Sequence, residues 1–96
     1  PLWPKGWHPQ RLAAVLSECR QRAGGGVYGY TAKAYQALSD ACDVFVSVDP
    51  DRPEAAAAYA FGEWAKTKWA RENEYPVGAF LPDAGKHLRL ATDGAA

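Results

Sequence analysis

The stretch Gly24-Gly25-Gly26-Val27-Tyr28-Gly29-Tyr30-Thr31 comes nearest to a recognisable piece of chemistry in this sequence. Gly24, Gly29 and Thr31 fall where a phosphate-cradling loop places its glycines and hydroxyl, so that backbone N–H groups and a helix start converge on an anion. Tyr30 stands where such a loop needs lysine, and the run follows a helix rather than a strand. It reads as a connector between helices, with a weaker anion site at the Thr31 helix start left open. Cys19 and Cys42 form no Cys-x-x-Cys pair and fall on apolar helical faces, where a thiol behaves as a small buried hydrophobe of raised pKa. His8 and His87 lie too far from them in sequence to outline a metal site. Spacing brings no nucleophile, base and orienter together, so no catalytic residue, metal or cofactor is expected.

A second group of residues points to binding. In a hairpin over 77–92, Phe80 would lie opposite His87 and Gly78 opposite Arg89 on the outer face. An outward aromatic beside His and Arg suits a base, an aromatic ligand or a peptide, and Lys66, Lys68 and Arg71 would extend the patch. Trp3 and Trp7 either fold back over the core or form a docking strip for a partner. Trp64 and Trp69 sit about 140° apart on a helical wheel, more than one sheet face would readily bury. That surplus of aromatic area predicts a homodimer with Trp3, Trp7, Trp64 and Trp69 near its interface.

The elements that must position these residues are read from periodicity. Leu12, Val15, Leu16, Cys19 and Ala23 mark a helix from Pro9 that ends at the glycine run. Val27 to Tyr30 is a brief strand or an ordered loop. Ala34, Tyr35, Leu38, Ala41 and Cys42 mark a second helix begun at Thr31. Asp43 to Val48 alternates as a strand, with Val44, Val46 and Val48 on one side. A long helix is expected from Pro53 to Asn73, opened by Asp51 and Glu54 in a capping box. Val77–Leu81 and Lys86–Thr92 then pair around Pro82-Asp83-Ala84-Gly85. The expected class is α/β (α+β): a three- to four-stranded mixed sheet covered by three helices, in the order α-(β)-α-β-α-β-β. Residues 1–96 make one domain, with an irregular Trp- and Pro-rich segment at 1–8 and a short tail at 93–96.

Composition bounds the function. The 96 residues carry 11 Lys plus Arg against 11 Asp plus Glu, which argues against a protein that coats nucleic acid through excess charge. The charge is laid out unevenly: residues 1–42 hold five bases and two acids, residues 43–65 one base and five acids. Alanine supplies nineteen residues while Ile and Met are absent, so the aromatics must provide much of the core. No apolar run reaches a membrane span, and the expected location is the cytoplasm.

From Val44 onward the chain resembles the second half of a thioredoxin-like domain. The residues that carry the likeness are Val46-Ser47-Val48-Asp49, Pro53-Glu54-Ala55-Ala56, Tyr75-Pro76-Val77-Gly78-Ala79-Phe80-Leu81-Pro82 and Gly85-Lys86. The resemblance implies that Pro76 precedes a core strand, often as a cis residue beside the active site. The family's Cys-x-x-Cys is absent: the corresponding position reads Tyr30-Thr31-Ala32-Lys33. The function expected is therefore a non-catalytic binding or protein-interaction module. The alternatives are a weak single-stranded nucleic-acid binder acting through the hairpin, and a degenerate thioredoxin-like protein or small enzyme.

Overall fold

A computed structural model describes residues 3–26, 28 and 32–84, and every regular element among them is helical. Helix α1 spans Pro9–Arg22. His8 adopts an extended backbone before it and its Nδ1 accepts from the Arg11 amide at 3.2 Å, taking the place usually filled by Ser, Asp or Asn. Pro9 needs no donor in the first turn. Leu12, Ala13, Val15 and Leu16 are buried. The helix closes with Gly24 at φ +98°, the Gly24 amide on the Gln21 carbonyl and the Gly25 amide on that of Arg20. This is a Schellman cap, and its left-handed position favours glycine.

A 3-10 turn at Ala32–Ala34 leads into α2, Tyr35–Val48. Helix α3 covers Pro53–Ala65 and α4 covers Lys68–Glu72. Residues 77–84 form a last helix, α5. Helix α3 packs against both α1 and α2, which also touch each other, and α4 packs on α3. Phe61 centres the core at one end, with ring centroids 5.4 Å from Trp64, 5.5 Å from Phe80, 6.2 Å from Tyr75 and 6.5 Å from Tyr28. Trp7 and Phe45 meet edge to face at 6.5 Å elsewhere in the core. Small alanines at 56, 57 and 60 let these rings approach α3.

The α/β expectation is wrong: no strand occurs among the described residues. Residues 43–48 continue α2, because Leu38, Ala41, Cys42 and Phe45 form one buried helical stripe. The strand reading set the three valines on one side, whereas Phe45 is fully buried and Val48 is half exposed. Packing of the stripe overrides the β preference of three valines. Residues 77–81 likewise belong to α5, whose Phe80, Leu81 and Ala84 are buried with Val77 partly so. That spacing of three, one and three is helical, and a hairpin cannot form from a helical first arm. Its second arm, at 86–92, lies outside the described residues, as do Val27, Gly29 and Tyr30 of the possible first strand. The two strands of the thioredoxin-like resemblance that fall at 44–48 and 77–81 are thus helical, and no cis peptide occurs among the described residues.

The long helix expected at 53–73 is two helices. Thr67 leaves helical geometry at ψ 145°, donates its hydroxyl to the Trp64 carbonyl at 2.8 Å and accepts from the Ala70 amide at 3.2 Å. One side chain thereby closes α3 and caps α4.

Candidate functional site

The two helix caps at the ends of α1 and α4 meet across a cleft of about 340 Å³ lined by Arg20, Gly24, Gly25, Arg71, Glu74 and Tyr75, among others. Helix α4 ends like α1: the Tyr75 amide reaches the Ala70 carbonyl at 2.8 Å and the Glu74 amide that of Arg71 at 3.4 Å. Here the left-handed position is filled by Glu74, at φ 59°, and Tyr75 follows at φ 56°. Non-glycine residues at such angles cost on the order of 1 kcal/mol or more each.

Arg20 holds this turn. Its Nε and Nη2 donate to the Glu74 carbonyl at 3.0 and 2.7 Å, and its guanidinium lies 4.6 Å from the centre of the Tyr28 ring. The Tyr28 hydroxyl donates to the Tyr75 carbonyl, and the Tyr28 amide donates to the Ser17 hydroxyl at 3.0 Å. A Cβ on Gly25 would come within 2.8 Å of the Arg20 Cγ, so glycine there gives the arginine stem room to lie along the loop. Burial pushes the Tyr28 hydroxyl up from 10.0 to about 12, against the opposing effect of Arg20. The arginines at these helix ends also offset two helix dipoles. The cleft is therefore a structural clasp before it is anything else.

The second surface is the outward side of α3. Seen down the helix, Ala55, Tyr59 and Gly62 lie away from the buried stripe of Ala56, Ala57, Ala60, Phe61 and Trp64, while Ala58 and Ala65 flank that stripe, partly buried against the core. Tyr59 is 53% exposed, and nothing lies within 4 Å of where a Gly62 side chain would begin. Ala58, Phe61, Gly62 and Ala65 share with Cys19 and Arg22 of α1 an apolar groove of about 300 Å³. Glu63 and Lys66 pair at 2.9 Å at the rim, and that hydrogen bond raises the Lys66 pKa.

Among the described residues of the expected ligand patch, Phe80 does not reach the surface. Phe80 is fully buried, its ring centroid 5.3 Å from that of Trp64, so it cannot stack on a ligand at the surface. Lys68 and Arg71 are exposed on α4, where Lys68 lies 3.7 Å from Glu72. His87 and Arg89 lie outside the described residues. Of the interface candidates, Trp7 and Trp64 are core residues. The Trp7 indole donates to the Cys42 carbonyl at 3.2 Å, and that of half-buried Trp3 to Asp43 at 2.7 Å. Trp69 alone of the four is exposed, at 53%, because the break at Thr67 turns α4 off the line of α3.

Both thiols are ill suited to nucleophilic work. Desolvation raises Cys19, and it pushes Cys42 from 9.0 to about 12 with help from the Asp43 carboxylate. Among the described residues, no group of three His, Cys, Asp or Glu side chains could hold a metal ion, and no helix is long and apolar enough to cross a membrane. Sequence reasoning missed Arg20, Tyr28, Glu74 and the outward side of α3. On α3 the signal was Tyr59 and Gly62, which fall off the apolar arc of the helix. These features define a small domain, all-helical among the described residues, whose α3 exposes Tyr59 and Gly62 beside an apolar groove. Comparison with known proteins returns no matching family model, no matching curated protein and no matching solved structure.

Proposed function

We propose that the protein is a non-catalytic protein-interaction module whose working surface is the outward side of α3 together with the groove beside it. The observation that carries this reading is that α3 exposes Tyr59 and Gly62 beside an apolar groove shared with α1. Small side chains at 55, 58, 62 and 65 let another backbone come close, while half-exposed Tyr59 offers the amphipathic ring common at interfaces. The nucleic-acid alternative loses the buried Phe80 as its stacking ring and keeps exposed Lys66, Lys68 and Arg71 among its described contacts.

Site-specific photocrosslinking tests the reading. A photoreactive phenylalanine analogue at Tyr59, on the proposed surface, is compared in the expressing cell with one at Tyr35, exposed on α2. Crosslinks to protein at 59 and not at 35 are expected. No crosslink at 59, or equal crosslinking at both, refutes the proposed surface.

A further inference from the structure

We draw no further inference here: the strongest candidate, the cleft of about 340 Å³ lined by Arg20, Arg71 and the glycines that follow α1, belongs to the clasp already described, in which Arg20 is committed to the Glu74 carbonyl, and Glu74 with two helix C-termini offsets its basic charge, so nothing there selects a ligand.

Discussion

Replacing Gly62 by alanine should stabilise the folded chain. Gly62 lies within α3, its φ is not in the left-handed region, and an added Cβ meets nothing within 4 Å. The methyl group therefore removes backbone freedom from the unfolded chain without creating a clash in the folded one. Helix propensity puts the gain at about 0.5–1 kcal/mol. For a domain of this size that corresponds to a rise of roughly 2–8 °C in Tm. The assay is thermal unfolding followed by Trp fluorescence, since Trp7 and Trp64 report on the core. It should be run at the lowest workable concentration, so that association does not contribute. A Tm that stays constant or falls would refute the reasoning. It would mean that position 62 is not an open helical site in the free chain.

Glu74→Gly should stabilise by about 1 kcal/mol in urea unfolding, because glycine adopts the left-handed cap position of α4 without strain, while Gly24→Ala at the matching position of α1 should destabilise by a similar amount. His8→Ala removes the acceptor of the Arg11 amide and should cost about 1 kcal/mol, whereas His8→Ser should retain most of the cap; equal losses in the two would show that the imidazole acts through packing. Native Cys42 should resist a thiol reagent at pH 8 and react on unfolding, since burial raises its pKa from 9.0 to about 12. Tyr28 is raised in the same sense, from 10.0 to about 12. The unfolded chain loses these protons first as pH rises, so their contribution to stability is whole below about pH 9 and is lost as pH rises through 12. Unfolding free energies that do not decline over that interval would contradict the burial of both groups.

Helix α1 was legible because all its signals agree: Pro9 at the first turn, apolar residues at steps of three and four, and three glycines to stop it. Helix α2 was legible to Cys42. Beyond it, Val44, Val46 and Val48 alternate while Cys42 and Phe45 continue the helical step, and only the neighbouring helices decide which pattern is used. In α5 the wrong period was read from Val77-Gly78-Ala79-Phe80-Leu81, although Phe80, Leu81 and Ala84 repeat as a helix does. The joint at Thr67 looked like one more residue of a long helix, because a hydroxyl caps only if the chain already turns there. Of the cleft lining, Arg71 was foreseen as a surface residue of that helix, and Trp69 was expected on its apolar arc at an interface. Arg20 was not foreseen as part of a clasp, because its partner carbonyl lies 54 positions away, beyond any local pattern.

That separation has a consequence for the order in which the chain folds. The helices and their caps depend on neighbours a few residues distant, and such structure forms within microseconds. The clasp of Arg20 and Tyr28 on Glu74 and Tyr75 spans 54 and 47 positions, and it secures a turn that is unfavourable by itself. It should close after the collapsed helices have found one another, late on the folding route. Changes to Arg20 or Tyr28 would then leave the folding rate nearly unchanged and show themselves as faster unfolding.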